Sequence, residues 1–245
     1  MRYFIFSDVH ANLEAFDAVL SAIAEDQVNR IIFLGDIVGY GAQPNEVVDR
    51  LKELNPDAMI RGNHDKVIAG IEEGSSFQEL ARTSAMWSRL QIRPDTKAYL
   101  ECMPQGPITL EREIQISHGS PHDEDFYILS HWDARSILLQ SESWIIFYGH
   151  THLPMICSTE SRFSQCYSED DEFYYRLLED KQYLINPGSV GQPRDLNPKA
   201  SFAILDTDEN LICIKRVGYD VQATQRKIRE AGLPAWHADR LAAGR

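Results

Sequence analysis

Aspartate, asparagine and histidine recur in this chain at the ends of short apolar runs. Ser7-Asp8-Val9-His10, Gly35-Asp36, Gly62-Asn63-His64-Asp65, Ser117-His118-Gly119 and Gly149-His150-Thr151-His152 each follow a segment of strand-like composition. A lone Gly-His-x-His reads more readily as two histidines flanking a turn. Five strand ends that all carry oxygen or imidazole donors read as parts of one site. Asp8, His10, Asp36, Asn63, His118, His150 and His152 mix carboxylate, amide and imidazole and include no thiolate. Such a set suits Mn, Fe, Co, Ni or Zn better than Ca, and Mg is usually content with oxygens alone. These donors exceed what one tetrahedral ion takes and fit two ions sharing a carboxylate. Two ions about 3.5 to 4 Å apart bind phosphate oxygens, lower the pKa of a bridging water to make hydroxide near neutral pH, and stabilise a pentacoordinate transition state. That is the chemistry of phosphoryl hydrolysis.

The segments around these residues alternate strand, loop and helix. Residues 3–7 form a first strand, and Asn12 N-caps a helix with Leu13, Phe16, Leu20 and Ile23 at helical spacing. Arg30 to Leu34 is a second strand, followed by the loop Gly35 to Gly41 and a helix from Pro44 with Val47, Val48, Leu51 and Leu54 on one face. Asp57 to Ile60 is a third. Three ligand loops then share one sheet edge, where open α/β folds bind ligands. Residues 77–103 read as a helical cap with Phe77, Leu80, Trp87 and Leu90 on one stripe and Pro94 opening a further helix; Trp87 reads as core rather than pocket wall. Ile108 to Leu110 and Ile114 to Ser117 form a hairpin ending at His118. A helix over 133–140, a strand over Trp144 to Tyr148 and a strand over Met155 to Cys157 follow.

Residues 158–182 are a variable segment of mixed periodicity. Its acid run Glu169 to Glu172 and the aromatics Phe173, Tyr174 and Tyr175 read as a solvated face, the alternative being a flap or dimer contact near the site. Tyr183 to Ile185 leads into Asn186-Pro187-Gly188-Ser189-Val190-Gly191, a turn-rich stretch. Ser201 to Asp206 and Leu211 to Val217 make a hairpin, and residues 220–245 a helical tail with a stop at Gly232. No repeat, low-complexity segment or linker divides the chain, so residues 1–245 are expected to form a single domain.

A net charge of -13 works against wrapping a nucleic-acid polymer, which calls for a basic face. It leaves a small phosphate substrate open, because two divalent ions bring +4 locally and Asp8 and Asp36 cancel half of that. No apolar run approaches the roughly 20 residues of a membrane span. The first strand is too brief for a secretory leader, and Cys102, Cys157, Cys166 and Cys213 form no CxxC, which suits reduced thiols. A cytoplasmic protein with no membrane partner is expected.

These motifs, DxH, GD, GNH(D/E), H and GHxH in that order, resemble the calcineurin-like metallophosphoesterase superfamily. The resemblance runs from Arg2 to about Asp206, with His118-Gly-Ser-Pro-x-Asp and Asn186 to Asp206 similar to the bacterial small-phosphoesterase branch. It implies an α/β, four-layer αββα sandwich of two mixed sheets with the metals at the sheet edges. It implies that Asp8, His10, Asp36 and His152 hold one divalent ion, that Asp36, Asn63, His118 and His150 hold the other, and that Asp36 bridges. His64 resembles the family's proton donor to the leaving group, with Asp65 holding its ring protonated. Arg61 resembles a phosphate-binding arginine of Ser/Thr protein phosphatases; its alternative is a salt bridge at the sheet edge. His122 and Arg194 lie in loops that the resemblance places near the pocket, where either would touch a substrate phosphate. His131 and His237 carry no motif and read as ordinary surface or helix residues.

The leading expectation is an enzyme hydrolysing small phosphodiesters in preference to monoesters. A Ser/Thr protein phosphatase or dinucleoside polyphosphate hydrolase is the alternative. A non-catalytic scaffold is disfavoured, since it would be expected to have lost donors that are all present.

Overall fold

In the computed structural model, which describes residues 1–24, 26–159, 164–165 and 171–245, strand–loop–helix units come first. They are β1 (Arg2–Phe6) and α1 (Leu13–Ile23), β2 (Arg30–Phe33) and α2 (Pro44–Leu54), then β3 (Ala58–Met59) and α3 (Asn63–Ala69). Next are α4 (Glu79–Gln91), α5 (Pro94–Cys102), β4 (Ile108–Thr109), β5 (Ile114–Ile116), α6 (His131–Leu139), β6 (Ile145–Phe147) and β7 (Met155–Ser158). β8 (Ser164–Gln165), β9 (Glu172–Arg176), β10 (Tyr183–Asn186), β11 (Ala200–Asp206), β12 (Leu211–Val217), α7 (Val221–Glu230) and α8 (Ala235–Asp239) complete it.

The strands form two six-stranded sheets, ordered β3-β2-β1-β11-β12-β9 and β4-β5-β6-β10-β7-β8. Both are mixed: β1, β2 and β3 run parallel, as do β5, β6 and β10, and the outer neighbours are antiparallel. Alternation along β1 shows why the sheets stack. Phe4 and Phe6 face outward onto Phe16 and Val19 of α1 and Val47, Val48 and Leu51 of α2. Tyr3 and Ile5 face inward onto Ile116, Ile145, Phe147 and Ile185 of the second sheet. On the far side, Ile146, Tyr148 and Leu184 are covered by Ala134, Ile137 and Leu138 of α6. Each sheet thus buries both faces, giving helix, sheet, sheet and helix layers.

Local signals set the element boundaries. The Asn12 side chain accepts from the Ala15 amide at 3.1 Å and caps α1, and Pro44 opens α2. Asp220 caps α7, and Gly232 follows it at φ 70°.

The stripe expected on α4 is not the buried one. Leu90 is 83% exposed, and Ser84, Ala85 and Ser88 are buried instead. Small side chains let α4 lie close to its neighbours, so size rather than hydropathy decides the face. Trp87 packs beside Ile228, Leu233 and Leu241 of the C-terminal segment. That segment continues past Gly232 into α8 and a 3-10 turn, Arg240–Ala243. β9 is an edge strand paired to β12, with Phe173 and Tyr175 against the inter-sheet core and Glu172, Tyr174 and Arg176 exposed. The aromatics of the acid run therefore belong to a sheet, and the flap reading does not hold for them. Glu169 and Asp170 lie outside the described residues. Among the described residues no helix is long and apolar enough to cross a membrane.

Candidate metal centre

The carboxyl ends of β1, β2, β3, β5 and β6 converge, and every donor expected from the sequence stands in the loops they feed. Asp8 and His10 follow β1, Asp36 follows β2, Asn63 opens α3 after β3, His118 follows β5, and His150 and His152 follow β6. The loops stitch the sheets together. His118 Nδ1 lies 2.8 Å from the Leu34 carbonyl of the other sheet, and the His150 amide donates to both Asp8 carboxylate oxygens at 3.2 and 3.1 Å.

Five of the donors adopt left-handed backbone: Asp8 (φ 55°), His10 (51°), Asp36 (60°), His150 (64°) and His152 (61°). Such a residue costs on the order of 1–3 kcal/mol and persists only where its surroundings over-determine it. Strain gathered on the potential ligands marks this as a functional site. Glycine is required beside them, since a Cβ at Gly62 would collide with the Asp36 carboxylate and one at Gly149 with Ser7 Oγ.

The expected donors form two groups, Asp8, His10 and His152, and Asp36, His118 and His150, and a third group, His10, Asp36 and His64, overlaps both; within each, the ligand atoms lie within 4.8 Å of one another. Asp36 Oδ2 stands between the first two, 3.7 Å from His10 Nε2 and 3.3 Å from His118 Nε2. Asn63 Oδ1 joins the second set, 3.2 Å from His118 Nε2.

Hydrogen bonds behind the rings fix which nitrogen points inward. His10 Nδ1 faces the Val38 carbonyl at 3.1 Å and His152 Nδ1 the Gln192 carbonyl at 2.5 Å, so each must donate there. Their Nε2 atoms then present lone pairs to one another across 3.0 Å. Two facing lone pairs repel unless a cation lies between or beside them. A proton is a poor candidate, because burial holds both imidazoles well below their usual pKa. His150 Nε2 is spent on the Asp125 carbonyl at 3.0 Å, which turns Nδ1 inward. The arrangement of lone pairs and carboxylates fits divalent cations.

The carboxylates differ. Burial raises Asp8 to about 7 despite nearby His118. Burial would also raise Asp36, but His118, His64 and His10 outweigh it and hold Asp36 below the usual carboxylate range. His118 is driven down by burial yet ends at about 10 because Asp36 and Asp8 favour its proton. A cation at Asp36 would displace that proton.

Among the other expected residues, His64 lies in the pocket beside the donors, its ring centroid 4.4 Å from Tyr40 and 4.7 Å from Phe77. Asp65 does not hold the ring, contrary to expectation. Its carboxylate instead accepts from the backbone amides of Asp36 (2.7 Å), Gly62 (2.9 Å) and Val38 (3.2 Å), bracing the loops that carry Asp36 and Asn63. His64 Nδ1 is buried without a partner, and burial lowers the ring to about 4, so it stands neutral. Arg61 takes the alternative foreseen for it, bonding Glu124 at 3.2 Å and Gln105 at 3.0 Å away from the pocket lining. His122 is also misplaced by the sequence reading. It is exposed and lines a different depression with Pro107, Thr109 and Pro121, because the turn closed by Ser120 and Asp123 carries it outward. Arg194 does line the pocket.

That cavity, of 680 Å³, also holds Tyr40, Tyr127, Trp236 and Arg240, which the sequence did not single out, Phe77, expected only on the cap stripe, and His237, which departs from its reading as an ordinary surface or helix residue. Tyr40 had a signal, lying in the glycine-rich loop after Asp36. His237 had none. It is buried, with Nε2 3.1 Å from the Leu80 carbonyl and its ring 4.9 Å from Tyr40, and only the folding back of the tail brings it there.

An uncharacterized protein of Methanocaldococcus jannaschii is 37% identical over 98% of this chain and 97% of its own. The phosphodiesterase YfcE of Escherichia coli is 25% identical over 85% of this chain and 89% of its own. A metallophosphoesterase crystal structure from Sphaerobacter thermophilus superposes with a TM-score of 0.88 and 36% identity, covering 100% of this chain and 99% of that one. Residues 1–210 match the family described as the calcineurin-like phosphoesterase superfamily domain, and the chain belongs to that family.

Proposed function

We propose that the chain is a binuclear metal-dependent phosphodiesterase for small substrates, acting as one domain in the cytoplasm. The observation that carries the reading is the placement of Asp36 Oδ2 between two donor sets, within reach of both His10 Nε2 and His118 Nε2. One set is Asp8, His10, Asp36 and His152; the other is Asp36, Asn63, His118 and His150. The metals are drawn from Mn, Fe, Ni, Co or Zn. Bound ions would polarise the phosphoryl oxygens and lower the pKa of water at the site.

The chain's own groups do the rest. The paired bonds behind His10, His118, His150 and His152 hold the lone pairs in place before substrate arrives, so little reorganisation is needed. Tyr40 and Phe77 clamp the His64 ring at the pocket floor. A phosphate anion placed there favours the charged form of His64, so the ring takes up a proton on binding and delivers it to the leaving oxygen. The diester preference is supported by likeness to a protein named as a phosphodiesterase. The cytoplasmic setting is supported by the free Cys102, Cys157 and Cys213.

The test is hydrolysis of bis-p-nitrophenyl phosphate and p-nitrophenyl phosphate by protein stripped of metal and reloaded with Mn, Ni, Co, Zn or Mg. Metal-dependent cleavage that favours the diester is expected. Turnover with no metal, or with the monoester alone, would reject the reading.

A further inference from the structure

The pocket holds two arginines beyond the metal donors. Arg194 Nη2 and Arg240 Nη1 converge on one neutral acceptor, Gln192 Oε1, at 3.0 and 2.9 Å. Arg194 Nη2 also bonds the Tyr40 hydroxyl at 3.4 Å, and Arg240 Nε bonds an oxygen of Arg245, the last residue given. Arg194 Nε is buried with no hydrogen-bond partner. Nearby cations are treated differently: Arg216 is paired with Asp195, and Arg61 and Lys66 with Glu124. In a chain with 37 acidic residues, two partly desolvated guanidinium groups that share one neutral acceptor and, among the described residues, bond no aspartate or glutamate side chain stand out. Burial, and then the charge of Arg194, hold Arg240 down to about 10. Like charges held together in a cavity are unfavourable until an anion joins them.

Their position relative to the donors follows from Tyr40. Its ring centroid is 4.6 Å from that of His10, and the Arg194 guanidinium carbon is 5.8 Å from it. The Arg194 amide also bonds the His152 carbonyl at 3.4 Å, so Arg194 flanks the metal donors and Arg240 adjoins it through Gln192. Tyr127 and Trp236 line the same cavity.

We propose that Arg194 and Arg240 form a seat for a second phosphate, so that the substrate is a small phosphoester carrying a further phosphate beyond the scissile one. Guanidinium forks match phosphate oxygens in geometry as well as charge. The proposal rests on the phosphoester reading for the scissile group and adds a role for the C-terminal segment. Arg240 lies beyond the residues 1–210 that match the family, so this segment selects the substrate while the strand-end loops cleave it.

Calorimetric titration with adenosine 5′-monophosphate and adenosine 3′,5′-bisphosphate tests it, on metal-loaded and metal-stripped wild type, Arg240→Gln and Arg240→Lys. Wild type should bind the bisphosphate about tenfold tighter than the monophosphate, in line with an added charge-assisted contact. The preference should survive metal removal, fall toward unity in Arg240→Gln and persist in part in Arg240→Lys. Equal affinities in wild type, or the same ratio in Arg240→Gln as in wild type, overturn it. Should Arg240→Gln melt early, the preference of Arg240→Lys against wild type decides, since loss of charge geometry alone must reduce it. A wild type that prefers the bisphosphate yet cleaves no diester rejects the phosphoester reading and leaves the seat standing. One that cleaves diesters without the preference does the reverse.

Discussion

The inner floor and the outer wall of the pocket are built in opposite ways. The floor is five short donor motifs, each following the strand that feeds it, and five of its donors take left-handed backbone angles. The wall is assembled from far apart: Phe77 before α4, Tyr127 before α6, Arg194 after β10, and Trp236, His237 and Arg240 from the tail. The tail is held down by side chains from the first third of the chain. Thr224 Oγ1 donates to Asn12 Oδ1 at 3.0 Å, and Lys227 reaches Glu14 and, at 2.9 Å, Gln43. On the proposed reading chemistry is fixed locally and selection by tertiary packing, and the two should respond separately to mutation.

The largest effect should come from the floor. Asp36→Asn keeps the shape but removes the charge between the donor sets. Loss of at least about a hundredfold in diester hydrolysis is expected, with metal content falling by one ion or more. Elemental analysis beside the rate measurement checks it, and full metal content with full activity would show that Asp36 is not shared. His64→Ala should follow at about 10²- to 10⁴-fold in kcat, the range for a positioned proton donor. Here metal content should stay constant; a drop would make His64 a ligand, since its ring also lies in a donor group with His10 and Asp36.

Metal should also stabilise the fold in a pH-dependent way. Burial raises Asp8 from 3.8 to about 7 in the folded chain. A carboxyl with a raised folded pKa contributes stability that is complete below 3.8 and lost as pH rises through about 7, so the metal-free protein weakens across that window. A cation at Asp8 removes the penalty, and above that window it no longer competes with that carboxyl's proton. Mn at about 100 Kd contributes ~2.7 kcal/mol, or roughly 5–11 °C in a chain of this size. Scanning fluorimetry should show a larger shift at pH 8 than at pH 5, and the opposite order would contradict the burial of Asp8 as a charge.

How much could be read from sequence follows the same division. Each donor motif is short and lies at the end of an apolar run, so period-two patterning and a nearby glycine locate it without knowledge of the fold. The sheets and α1 and α2 were legible for the same reason. The resemblance implies that Asp65 holds the His64 ring, yet α3 begins at Asn63 and turns the Asp65 carboxylate back onto the backbone of the preceding loops. His122 and Arg61 lie close to donors along the chain, but a turn and Glu124 aim them elsewhere. His237 and Arg240 had only a polar tail around them, and their place depends on contacts about two hundred residues apart in sequence.

The smallest and most discriminating effect should come from Trp236→Ala. The indole is 51% exposed and stands 6.0 Å from the Arg240 guanidinium carbon. Being so open, its loss should alter stability by no more than about 0.5 kcal/mol. A cation–π contact at an exposed site is worth about 0.5–1 kcal/mol, so a two- to fivefold rise in KM for a substrate that reaches the wall is expected, with kcat held. Because the floor is built independently, the same variant should cleave the small diester bis-p-nitrophenyl phosphate with its kcat intact. A fall in kcat on both substrates would show that tail and loops are mechanically coupled, and the division between a cleaving floor and a selecting wall would fail.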